Sequence, residues 1–80
     1  MIAVGGQFLT VEDVAQKYGI SKRTVHEWTR TQRIPHRILP GGRRCLFEEW
    51  ALGAWEDGAV LELIELHGGG RIVRPVEGAS

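Results

Sequence analysis

Arg23, His26, Glu27 and Arg30 pair up three and four residues apart within SKRTVHEWTR. On a helix such residues share one face, because a turn takes 3.6 residues. That face has the chemistry to read base pairs. The arginine fork matches the O6 and N7 acceptors of guanine, and a glutamate accepts from the N4 amino group of cytosine. His26 lies between the arginines and reaches the same surface. Ser21, Lys22 and Thr24 stand at the start of the segment, where backbone N–H groups and the helix dipole attract phosphate. Arg33 and Arg37 follow it and read as grips on a sugar-phosphate backbone. In PGGRR, Gly41 and Gly42 make a slim tip and Arg43 and Arg44 charge it, a combination suited to a narrow minor groove. The plainer alternatives are a solvated basic face, a Glu27 that only pairs along its helix with Lys22, Arg23 or Arg30, and a glycine pair that only makes a turn.

These residues form a basic block inside a neutral chain. The whole sequence has ten Lys+Arg and ten Asp+Glu, a formal charge of zero. From Lys17 to Arg44 there are eight bases and Glu27 as the one acid, a net +7. Residues 45–80 carry seven acids against Arg71 and Arg74. A block of that density points to a polyanion as partner. The acidic remainder repels phosphate and is expected to face protein, through residues 58–67: a second copy of the chain or a recombinase.

Other chemistries find little support. His26, His36, Cys45 and His67 show no paired spacing that would hold a metal. Gly68-Gly69-Gly70 lacks the strand before it and the Lys-Ser/Thr after it that a phosphate loop requires. Glu48-Glu49 and Glu56-Asp57 are adjacent acids at helix ends, and solvation explains them. Arg44 beside Cys45 would lower the thiol pKa, yet no base partner accompanies it. No enzyme, metal or cofactor is expected. A lone cysteine forms no internal disulfide and fits a reducing compartment, here read as a bacterial cytoplasm. No apolar run approaches the roughly 18 to 20 residues of a membrane span, and Met1–Gln7 does not read as a signal peptide.

The elements that must position these side chains follow from the pattern. Eighty residues at 42% hydrophobic content suit one small domain, with Trp28, Trp50 and Trp55 expected to supply much of its core. Residues 1–7 read as a flexible leader. Thr10 with Asp13 predicts a capping box opening a helix over 11–18, stopped by Gly19. Ser21 caps a second helix whose inner face is Val25, Trp28 and Gln32. The link Gly19-Ile20-Ser21 is too short for an antiparallel hairpin and forces a steep crossing. Pro35 ends the helical stretch. His36–Leu39 and Arg43–Phe47 form a hairpin around Pro40-Gly41-Gly42. Glu48-Glu49 opens a third helix whose Leu52 and Trp55 close the core. AVLELIEL, residues 59–66, has two readings. Adjacent Leu63 and Ile64 break strict alternation and favour a helix ending at Gly68-Gly69-Gly70; the competitor is a hairpin of LELIEL with RIVRPV. Residues 71–80 are then a loose tail.

Ala15, Gly19 and Val25 each meet a steric need of a helix-turn-helix: close crossing, tight turn, and the filler between the helices. On LTVEDVA, YGISKRTVHEW, RIP, GGRR and ALGAW, in that order, the chain resembles the excisionase-like, MerR-like winged helix-turn-helix domains over residues 8–55. Cys45 and Leu46 depart from that pattern, which has an aromatic and a polar or basic residue after GGRR. The resemblance implies a mostly α fold with a small β-hairpin, three to four helices plus a wing. It implies that the second helix enters the major groove while the wing touches the flanking backbone or minor groove. The expected organisation is a leader over 1–7, the winged domain over 8–57, and a C-terminal helix or hairpin with its tail over 58–80. The expected function is sequence-specific binding of double-stranded DNA. Its first form is a phage or mobile-element recombination directionality factor that recruits an integrase. A small transcriptional regulator is the second, and a protein–protein adaptor the third.

Overall fold

The computed structural model describes residues 8–42 and 44–76. The leader, Arg43 and the last four residues of the expected tail lie outside them. In chain order the elements are β1 (Phe8–Leu9), α1 (Val11–Tyr18), α2 (Lys22–Arg30), β2 (His36–Ile38), β3 (Cys45–Glu48), α3 (Glu49–Glu56), β4 (Leu61–Glu65) and β5 (Arg71–Pro75), with a 3-10 turn at His67–Gly69 between the last two.

The capping box is present. Asp13 N–H donates to Thr10 Oγ1 at 3.2 Å, and Thr10 N–H donates to Asp13 Oδ2 at 3.0 Å. Gly19 ends α1 at φ 67°, a left-handed conformation that glycine adopts without a Cβ clash. That turn lets Ile20 N–H reach the Ala15 carbonyl at 2.9 Å and swings the chain into α2. Ser21 Oγ then accepts from Thr24 N–H at 3.1 Å. The far end of α2 corrects one expectation. Gln32 is not on the helix's inner face: α2 ends at Arg30, and Gln32 follows exposed, at φ 60°. The inner position belongs to Thr29, which is buried and donates through Oγ1 to the His26 carbonyl at 2.8 Å.

Val14, Ala15, Val25, Ile34, Phe47 and Leu52 form the buried core, with Leu9, Tyr18, Ile20, Trp28 and Trp55 packed against it. Trp55 of α3 meets Trp28 at 5.8 Å and Tyr18 at 5.9 Å, both edge to face, a geometry the ring quadrupole favours. Tyr18 also donates its hydroxyl to Glu56. Burial, then that carboxylate, pushes the phenol pKa up. Trp50 departs from expectation: it projects from the first turn of α3 and is 56% exposed, so two tryptophans rather than three serve the core.

Residues 59–66 do not form a helix. Leu61–Glu65 and Arg71–Pro75 pair as an antiparallel hairpin, with Leu63 opposite Val73 and Glu65 opposite Arg71. The expected tail is therefore β5 up to Pro75, and β5 pairs with β2, placing His36 opposite Val73. The result is one antiparallel sheet in the order β1-β3-β2-β5-β4. The adjacency of Leu63 and Ile64 breaks alternation in sequence, yet each has an apolar neighbour. Leu63 lies beside buried Val73, and Ile64 beside Ile72 on the other face. Glu62, which looked like part of a helical polar stripe, is instead met across the strands by Arg74 at 2.7 Å. The described residues thus hold three α-helices, and the fourth is replaced by two strands that widen the wing's sheet.

Gly70 is where this hairpin comes closest to the wing. A Cβ there would sit 2.5 Å from the Ile38 carbonyl oxygen and 2.7 Å from the Pro40 nitrogen. Only a residue without a side chain admits that approach.

Candidate nucleic-acid interface

Burial of Val25 and Thr29 fixes which way α2 faces. With the inner face set by those two and by half-buried Trp28, a 3.6-residue turn sends Arg23, Glu27 and Arg30 outward, with Lys22 and His26 beside them. All five are exposed. Lys22 and His26 form the rim of a cleft of about 550 Å³, opposite Arg44 of the wing. Thr29 of α2, Thr10, Val11 and Glu12 at the start of α1, and Ile38, Cys45 and Leu46 of the wing complete its walls. That the start of α1 lines the space between α2 and the wing has no signal in the sequence of either. The capping residue Thr10 was visible in the sequence, but its place beside the wing depends on β1 pairing with β3, Leu9 opposite Phe47.

The charges are partly paired. Arg30 Nη2 donates to both carboxylate oxygens of Glu27, at 2.8 and 2.7 Å, and the contact raises the guanidinium pKa. Lys22 Nζ lies 3.6 Å from Glu12. Glu12 is held below the usual carboxylate range, first by a backbone hydrogen bond at the helix start and then by Lys22. Among the described residues Arg23, Arg33 and Arg44 form no ion pair and are exposed. The Ser21 and Thr24 hydroxyls meet 3.0 Å apart, and the Ser21 hydroxyl also accepts from the Thr24 backbone N–H as the cap. Gly41 and Gly42 stand exposed at the wing tip.

Arg37 is not brought to this surface. Its neighbours His36 and Ile38 take the inner side of β2, so Arg37 takes the other. There it donates to Glu48 Oε1 at 3.2 Å and lies 5.9 Å from the centre of the Phe8 ring. Cys45 also differs from expectation: burial raises its thiol pKa, outweighing the lowering by Thr29 and Arg71.

Among the described residues no group of three His, Cys, Asp or Glu side chains is placed to hold a metal ion, and no helix is long and apolar enough to cross a membrane. What the surface offers is cations and hydrogen-bond donors on a convex helix, beside a basic cleft bounded by a hairpin. That is the chemistry of binding an extended anion.

The family model of the helix-turn-helix domain matches residues 8–58. No curated protein and no solved structure matches the chain.

Proposed function

The chain belongs to the helix-turn-helix domain family, and from that premise we propose that it is a sequence-specific binder of double-stranded DNA. The observation that carries this reading is the joint presentation of an exposed α2 stripe and a cleft with Lys22, His26 and Arg44 on its walls. In this reading α2 occupies the major groove, with Arg23, His26, Glu27 and Arg30 at base edges. Ser21, Lys22 and Thr24 bring the helix N-terminus to a phosphate, and Arg33 grips the backbone beyond. Gly41, Gly42, Arg43 and Arg44 carry the wing to the adjacent minor groove. Arg37, occupied by Glu48, is left out of the contact set.

The finer role we propose is a phage or mobile-element recombination directionality factor, a binding rather than a catalytic protein. It would occupy repeated sites near an attachment site in a bacterial cytoplasm and direct an integrase. One reading helix covers few base pairs, so neighbouring copies must cooperate. The β4 edge offers them a surface: among the described residues β4 pairs on one side only, and Val60 and Leu63 are exposed along it.

A mobility shift on plain duplex, followed by a footprint, tests the first level. A protected tract with repeats in phase with the helical turn is expected. Failure to shift any duplex leaves the adaptor reading instead. An excision assay with an integrase encoded beside the gene tests the second level: a protein that binds DNA without stimulating excision is a simple regulator. Light scattering with and without duplex tests the β4 edge, and strictly monomeric behaviour in both removes it.

A further inference from the structure

The C-terminal hairpin lies beyond the matched family unit, yet it holds both parts of the surface assigned to DNA. Arg71 reaches from β5 to the end of α2. Its Nη2 donates to the Thr29 carbonyl at 2.9 Å and its Nε donates to His36 Nε2 at 3.1 Å. His36, only 3% exposed, is itself fixed, because its Nδ1 lies 2.8 Å from the Ile34 carbonyl. A carbonyl can only accept, so the proton sits on Nδ1, and Nε2 is left as the acceptor that Arg71 needs. Burial holds the ring below its ordinary pKa, which keeps that acceptor in place near neutrality. Thr29 belongs to the last turn of α2, where carbonyls have lone pairs to spare and a cation complements the helix dipole. In the turn of the same hairpin, three residues before Arg71, the Gly68 carbonyl accepts from Gly41 N–H at 3.1 Å. The hairpin thus ties the end of the reading helix to the wing tip.

We propose that Arg71 is a positioning residue for DNA recognition. Through His36 and the Thr29 carbonyl it sets the angle of α2 against the wing, and so governs which bases the outward side chains can reach. The proposal rests on the reading that α2 and the wing bind duplex DNA. In this role Arg71 acts through the protein, with its Nε held by His36 and its Nη2 by the Thr29 carbonyl. The task needs two donors at a fixed angle. Lysine carries the same charge on a single nitrogen and lacks the planar fork that aims one nitrogen at His36 and another at Thr29.

The test uses the full chain as wild type, Arg71→Lys and Arg71→Met. The probes are a duplex that the wild-type protein selects from a randomised pool and its scrambled counterpart. Arg71→Lys leaves the net charge unchanged, so its affinity for the scrambled duplex should stay at the wild-type level. Its preference for the selected duplex should fall about fivefold, and amide exchange across Val25–Arg30 should quicken. Arg71→Met should lose preference in the same way; if it does not fold, Arg71→Lys decides alone. A wild-type protein that selects a duplex, with Arg71→Lys matching its preference, overturns the positioning role while leaving the DNA reading intact. A wild-type protein that selects no duplex overturns both.

Discussion

Arg30 illustrates how a side chain can be engaged in the free protein and still be available to a ligand. Its contact with Glu27 is short but lies at an exposed site, where such pairs contribute little because solvent screens them and holding two long side chains in one geometry costs entropy. A guanine edge offers two acceptors that fit the same fork better. Arg30→Ala should therefore weaken binding to a selected duplex roughly tenfold to a hundredfold and relax base preference at one position. Titration against selected and scrambled duplexes checks this, and equal losses on both would reduce Arg30 to a phosphate contact. His36 makes a different prediction. Burial lowers its pKa in the folded chain below the ordinary 6.5. Between those two values the unfolded chain binds more protons, so stability falls as pH drops through 6.5 toward the folded pKa. Protonation would also set a cation against Arg71 and remove its acceptor. Urea midpoints measured at pH 7 and about pH 5.5 should separate more for wild type than for His36→Gln; parallel shifts would mean that His36 is not the responsible group. The outward residues of α2 were legible in sequence because helical period alone assigns them. Thr29, His36 and Arg71 were not, because each is defined by a partner far along the chain.

The elements differ in how locally they are specified. Helix α1 carries its own start in Thr10 and Asp13 and its own stop in Gly19, and all three work through hydrogen bonds within a few residues. Strand β4 carries no such marks. LELIE satisfies a helical or an extended pattern almost equally well, and the choice falls to what pairs with it. Val73 and Ile72 of β5 give apolar neighbours on both faces, and Arg74 answers Glu62. None of these is local to β4 in a helical reading. The hairpin's attachment to the wing depends on Gly70, whose position leaves no room for a Cβ between the Ile38 and Pro40 backbones. Gly70→Ala should destabilise the fold by about 1–3 kcal/mol, since backbone rather than a flexible side chain must give way. A thermal melt should show a fall of several degrees, and an unchanged melting temperature would mean that the hairpin and wing can separate at no cost. The same change should weaken the wing's support and so reduce binding to a selected duplex.

Across the molecule charge is segregated more sharply than its zero total suggests. Lys22, Arg23 and Arg30 lie on α2 and Arg44 on the wing, while Arg37 is diverted to Glu48 on the other face of β2, Arg74 pairs with Glu62 within the C-terminal hairpin and Arg71 is spent on Thr29 and His36. If the proposed contacts neutralise about six phosphates, affinity for duplex should drop roughly 10³-fold between about 50 and 200 mM salt. A binding series over that range checks it, and a flat response would rule out a backbone-driven interface. The existence of a second helix with an exposed polar face and of a basic hairpin was legible from residue order. Caps, turns, helical period and the net +7 block all act over a handful of neighbours, and short-range physics needs no fold to express them. The five-stranded sheet, the cleft shared with α1, the diversion of Arg37 and the tie from Arg71 to α2 belong to the folded chain. Each arises from groups brought together across long stretches of sequence, where hydrogen-bond partners and burial select one conformation among several that the local pattern permits.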